Sequence, residues 1–274
     1  MFSSKIYSEL EKQNGIASAR QPVGFTMIEL LTVIALIGIL AGMILGLSGL
    51  ASSKMRIARV QGELSHLVTA IEFYKDKYKV YPPDNQLKYP NGNRIPGSSA
   101  TNQLVLELTG CIVTNMAFSS PHSRTPNGSL HLLTAAEMRP LFGGAADGIL
   151  NASEKPAKVR NFLNNYSNSK LGKITNMNRT VTFDIFRVPV QAPLYRQELE
   201  SRGKGWSKMG LNNPWHYNSS DPTNNPGKFD LWAEFQLARQ GNVQTDENGR
   251  RYVEYYVIGN WNGMKPELRR DYLN

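Results

Sequence analysis

Apolar residues run almost without a break from Phe25 to Leu50, with Thr26, Glu29, Thr32 and Ser48 as the polar interruptions. This run of 26 residues exceeds the ~20 that a helix needs to cross a bilayer core. A secretory signal has an apolar core of only ~7–15 residues, so the run is too long for one, and an acid at its start is unusual there. The pattern then changes. Ile57, Val60, Leu64, Leu67, Ile71, Tyr74 and Tyr78 recur at three- and four-residue steps, as on one face of an amphipathic helix. Arg59, Gln61, Glu63, Glu72, Lys75 and Asp76 occupy the other faces. No proline falls between Phe25 and Tyr81, and Pro82-Pro83 stops the helix. A single helix from Phe25 to about Val80 is expected, roughly 80–85 Å long at 1.5 Å per residue. Gly38, Gly42 and Gly46 invite bending or close helix contact within it, or are simply the glycines common in membrane helices.

Around this helix the chain divides into five stretches. Residues 1–24 are polar, broken by Gly15, Pro22 and Gly24, and read as a leader. Residues 25–50 form the apolar helix and 51–81 its amphipathic continuation. Residues 82–180 form a Pro-, Asn- and Gly-rich insertion with two short helices, at Gln103–Leu108 and Thr134–Phe142. Thr134 followed by Glu137 is a capping-box spacing for the second of these. Residues 181–274 read as an antiparallel β region. Val181, Phe183 and Ile185 alternate with Thr182, Asp184 and Phe186, and Phe229, Leu231, Ala233 and Phe235 with Asp230, Trp232 and Glu234. Asn248-Gly249 signals a hairpin turn, with Arg251–Asn260 as the returning strand. The expected fold class is α+β, a long N-terminal helix laid on a small antiparallel sheet.

Charge and composition narrow the function. The chain has 31 Lys and Arg against 22 Asp and Glu, a net charge of +9. The positive residues are dispersed, without the basic, aromatic-lined stripe of a nucleic-acid groove, so no nucleic-acid partner is expected. Lys5, Lys12 and Arg20 favour a cytoplasmic N-terminus, whereas Lys54, Arg56 and Arg59 just past the apolar run favour the reverse. Charge alone leaves the orientation open. Cys111 is the only cysteine, so the chain has no intrachain disulfide. His66, His122, His131 and His216 are scattered, and no nucleophile elbow, phosphate loop or dinucleotide fingerprint occurs. No enzyme activity is expected.

One residue does carry chemistry. A carboxylate such as Glu29 near the head of a membrane-length helix is costly unless paired. The stretch Gly24-Phe25-Thr26-Met27-Ile28-Glu29-Leu30-Leu31 resembles the cleavage and methylation segment of type IV pilin-like proteins. The resemblance covers about the first 60 residues. It implies cleavage between Gly24 and Phe25 by a membrane prepilin peptidase, and N-methylation of Phe25. It also implies that Glu29 neutralises the amine of a neighbouring subunit during assembly, and that the N-terminus is cytoplasmic. The subunit would then be a single-pass protein of the bacterial inner membrane with a periplasmic C-terminal domain.

A second resemblance lies further on. Asn213-Pro214-Trp215-His216-Tyr217, then Gly227-Lys228-Phe229-Asp230, is similar to a segment of the major pseudopilins of type II secretion. In that group a later Gly-x-Asp-Gly loop supplies calcium-binding carboxylates. This chain has Asn213 where aspartate is usual and no such loop after Trp232. Asp221 and Asp230 remain as calcium candidates, without EF-hand spacing; no other cofactor or metal is implied. The function implied is a structural pseudopilin, packed with identical subunits into a periplasmic fibre beside other pseudopilins and inner-membrane secretion components. A pilus subunit for adhesion, motility or DNA uptake is the alternative, as is a tethered binding domain that never polymerises.

Overall fold

The computed structural model describes residues 25–84, 99–115, 117–121, 129, 132–142, 149–164, 166–175, 182–192, 212–237 and 243–273. The leader 1–24, including Gly24, lies outside the described residues, as do His122, His131 and Val181. The chain divides into two compact units, one ending at Gly49 and the other starting at Leu50.

The first unit holds the N-terminal part of helix α1 (Met27–Tyr78). Every described side chain from Phe25 to Met43 is exposed. Side chains 44–51 are outside the description, so the described apolar stretch is roughly 25 Å of helix, shorter than a bilayer's ~30 Å core. Among the described residues no helix is long and apolar enough to cross a membrane.

In the second unit α1 behaves as its sequence pattern requires. Val60, Leu64, Leu67, Ala70, Ile71 and Tyr74 are buried, with Ile57 and Tyr78 packed at the margin. The helix stops at Tyr78, short of the expected Val80. Lys79 turns into the left-handed region (φ 67°) and its amide donates to the Lys75 carbonyl at 2.7 Å, which satisfies an otherwise unpaired carbonyl of the last turn.

Helix α2 (Leu104–Thr109) follows, then strands β1 (Cys111–Thr114), β2 (Ala117–Ser119) and β3 (Leu133–Thr134). Helix α3 (Ala135–Phe142) and strand β4 (Ala152–Ser153) complete this part of the chain. These strands form a sheet in the order β3-β2-β1-β4, antiparallel except for the β1–β4 pair. Strands β5 (Leu171–Thr175) and β6 (Thr182–Phe186) pair as an antiparallel ribbon.

The larger sheet is antiparallel. It comprises β7 (His216–Asn218), β8 (Asp230–Phe235), β9 (Gln244–Thr245), β10 (Arg251–Gly259) and β11 (Glu267–Tyr272), in the order β11-β10-β8-β7 with β9 on β10. The α+β class and the antiparallel pairing are therefore as the sequence predicts. The β9–β10 turn is longer than a two-residue Asn-Gly hairpin. Asp246 accepts from the amides of Asn248 and Arg250, and Gly249 supplies the positive φ of 75°.

One core joins the buried face of α1 to Tyr217, Leu231, Ala233, Phe235 and Ile258 of the larger sheet. Leu104, Val105 and Leu108 of α2 and Phe162, Leu163 and Tyr166 belong to the same core, so described residues of the 82–180 stretch contribute to it directly. A second cluster takes Leu106, Cys111, Leu133 and Met138 against Ile174, Phe183 and Ile185. β6 thus feeds both: Phe183 and Ile185 face the second cluster, and Phe186 faces the first. Phe186, expected on the polar side, is buried for that reason.

Leu67 has no exposed surface and Ser65 lies on the solvent side of the same turn. Leu67→Ala should destabilise the C-terminal unit by about 2–5 kcal/mol and Ser65→Ala by less than about 0.5 kcal/mol. Urea unfolding of the two variants followed by tryptophan fluorescence measures both.

Candidate functional site

The start of α1 is built as a capping box. The first amides of a helix have no carbonyl one turn back, and a Thr-x-x-Glu sequence supplies acceptors for them. The amide and hydroxyl of Thr26 both donate to Oε2 of Glu29, at 2.9 and 2.8 Å. The Glu29 amide donates back to Thr26 Oγ1 at 3.3 Å. Thr134 and Glu137 make the same three bonds at the start of α3, at 2.7, 2.9 and 3.2 Å. The second box is legible as a helix start; the first has the same spacing but is masked by the odd acid in an apolar run.

The box fixes the Glu29 carboxylate over the first turn, at the positive end of the helix dipole. Among the described residues Oε1 of Glu29 accepts no hydrogen bond, whereas Oε2 accepts two. Phe25, 82% exposed, immediately precedes Thr26. Around them Met27, Ile28, Leu30 and Leu31 are all exposed. Chemically, this is an oriented carboxylate on an apolar helix whose described side chains are exposed.

The calcium candidates lie in the C-terminal unit, Asp221 within the loop after β7 and Asp230 at the start of β8. Asp221 is exposed and joins its loop through the backbone, its amide donating to Asn218 Oδ1 at 3.1 Å. Asp230 is 2% exposed, and both of its carboxylate oxygens accept N–H bonds. Among the described residues no group of three His, Cys, Asp or Glu side chains could hold a metal. Asp184 pairs with Lys173 across β5–β6, Nζ to Oδ1 at 2.9 Å. His66 stacks on Tyr166, and His216 stacks on Trp232 with Nδ1 2.9 Å from Ser99 Oγ. Burial pushes the Cys111 thiol up to about 12, which makes it a poor nucleophile.

Glu63, expected on a polar face of α1, is buried instead, and Glu107, which nothing in the local pattern marks, is buried with it. Glu63, beside the α1 stripe, accepts from Tyr166 Oη at 2.7 Å and lies 3.8 Å from Lys170 Nζ. Burial raises its pKa, partly offset by the Tyr166 bond and by Lys170. Glu107 on α2 has no exposed surface. It accepts from Tyr74 Oη at 2.8 Å and from the amides of Leu150 and Asn151, each at 3.2 Å. Burial outweighs those bonds and raises its pKa from an ordinary 4.5 to about 7. Asn151 extends the network, donating to the carbonyls of Glu107 and Arg160 and accepting from Tyr78 Oη. The two carboxyls latch α1 to the segments that follow it.

Comparison with known proteins finds a partial relative, the type II secretion system core protein G of Pseudomonas aeruginosa. It is 29% identical over 82 residues, which span 28% of this chain and 58% of that protein. The matched part is thus little more than half the relative's length. No family model and no solved structure matches the chain.

Glu107 gives the C-terminal unit a pH dependence of known sign. Its pKa is higher folded than unfolded, so its contribution is fully favourable below about pH 4.5 and is lost as pH rises through about 7. The loss is on the order of 3 kcal/mol. Urea unfolding between pH 5 and 8 should show stability falling with pH, and Glu107→Gln should flatten that slope.

Proposed function

We propose that this chain is a pseudopilin-like structural subunit, most similar in role to the core subunit of a type II secretion fibre. The observation that carries the reading is Glu29, held by Thr26 at the tip of an exposed apolar helix. The partial similarity to the Pseudomonas core protein G supports the same reading.

Residues 25–50 anchor the precursor in the bacterial inner membrane, with residues 1–24 in the cytoplasm and the C-terminal unit in the periplasm. The long apolar sequence supports the anchor: its length through Leu50 exceeds the ~20 residues needed to span. A prepilin peptidase cuts between Gly24 and Phe25, and the new amine on Phe25 is methylated. A free amine and an acid both cost energy in hydrocarbon, about 2.5–3.5 kcal/mol for an unpaired acid on insertion scales. Oε1 of Glu29 can pair with the Phe25 amine of a neighbouring subunit, while Oε2 keeps its bonds to Thr26. Burial of the apolar helix faces against identical helices then supplies the main driving force for a fibre. Other pseudopilins and inner-membrane secretion components are the remaining partners.

Cys111 favours secretion over an adhesive pilus. It is buried and is the chain's sole cysteine, so no disulfide closes a C-terminal loop as it commonly does in fibre-forming pilins.

Mass spectrometry of the protein purified from membranes should find a mature chain starting at N-methylated Phe25. An intact Met1, or a cut after Leu50, would overturn the processing. Glu29→Gln keeps a hydrogen-bonding cap but removes the charge. It should lower fibre yield roughly tenfold or more with processing unchanged; wild-type yield would exclude charge pairing.

A further inference from the structure

The loop between β7 and β8, Ser219 to Phe229, holds the calcium candidate Asp221 and leads into the other, Asp230. Calcium sites gather six to eight oxygens at about 2.3–2.6 Å around an open centre. Here the carboxylates face amide hydrogens. Asp230 Oδ2 accepts from the amides of Thr223 and Asn224, both at 2.8 Å, and from Asn224 Nδ2 at 3.1 Å. Its Oδ1 accepts from the Asn225 amide at 2.9 Å and from Asn225 Nδ2 at 3.1 Å. At the other end of the loop, Asp84 Oδ2 accepts from the amides of Ser219 and Ser220, at 3.0 and 3.2 Å, and from Ser220 Oγ at 3.0 Å. Both carboxylates are buried.

Asn260, at the end of β10, ties the loop down. Its Oδ1 accepts from Asn225 Nδ2 and the Leu231 amide, and its Nδ2 donates to the Phe229 carbonyl at 2.9 Å. A cation brought to Asp230 would meet the positive ends of these N–H dipoles and would have to break charge-assisted bonds to coordinate. Asp221, the other candidate, is exposed, and its backbone bonds to the side chain of Asn218. The residues present do not fit a calcium ion.

We propose that this loop folds without a divalent cation, with Asp84 and Asp230 as built-in anions that order its backbone amides from within. The inference concerns the C-terminal unit alone and stands whether or not the subunit forms a fibre.

Thermal melts of the full chain in detergent, with millimolar calcium chloride or with EDTA, test it. The wild-type midpoint should agree within about 1 °C in the two conditions. Asp230→Asn turns an amide group toward amide donors, and should lower the midpoint by roughly 5–10 °C in either condition, without rescue by calcium. A saturable rise in the wild-type midpoint with calcium, abolished in Asp230→Asn, would overturn the proposal. If that variant does not fold, a terbium titration of the wild type decides. Trp232 and Trp261, with ring centroids 6.3 Å apart, would sensitise a lanthanide held in this loop. Saturable emission overturns the proposal, and its absence supports it.

Discussion

A helix with its apolar residues sorted onto one face is stable in water only when that face is covered. In the second half of α1 the cover comes from several segments far downstream. Leu231, Ala233 and Phe235 of β8, Tyr217 of β7, Leu104 and Leu108 of α2 and Phe162, Leu163 and Tyr166 share one core with Val60 to Tyr74. Full burial of each large side chain contributes about 1.5–3 kcal/mol, so the stripe is a major source of the unit's stability. The first half of α1 carries no such sorting: it is apolar on all sides and its described side chains are exposed. One continuous helix thus carries two kinds of surface, an exposed apolar stretch in its N-terminal half and a covered stripe in its C-terminal half.

Polar groups inside the C-terminal unit answer the complementary problem. Buried acids cost energy unless their oxygens are satisfied, and this chain satisfies them in two ways. Glu63 and Glu107 accept tyrosine hydroxyls across element boundaries and remain partly penalised, so their pKa values rise. Asp230 accepts backbone amides of its own loop, turning a Pro- and Asn-rich segment into an ordered connection. Tyr74 belongs both to the apolar stripe and to the Glu107 network, so packing and polar satisfaction are coupled at one residue.

Much of the framework was legible from residue order. The α1 stripe, α2, α3 with its Thr134–Glu137 box, and strands β6, β8 and β10 follow from periods of 3.6 and two and from cap spacing. The small sheet β1–β4 was not legible, since strands of two to four residues are too short to show a period. β11 was hidden for another reason: Glu267-Leu268-Arg269-Arg270-Asp271-Tyr272 is almost all charge. It is a strand because β10 offers it a backbone ladder from Tyr252 to Val257, and edge strands tolerate charge. Arg270 over Tyr252 and Arg250 over Tyr272 cover that edge with cation–π contacts.

The sequence by itself determined what depends on neighbours along the chain: where α1 runs, which face it must bury, where Glu29 stands in its apolar run, and the α+β class. These follow from local periodicity and from the cost of an acid in hydrocarbon. Only the tertiary structure decided what depends on distant partners. It placed Glu107 beside Tyr74, turned Phe186 into the main core, and filled the carboxylate of Asp230 with amides. At the head of α1 it set the amide and hydroxyl of Thr26 on one carboxylate oxygen of Glu29. No linear pattern carries that information, because the direction of a side chain and the donors it meets exist only once the backbone has closed around it.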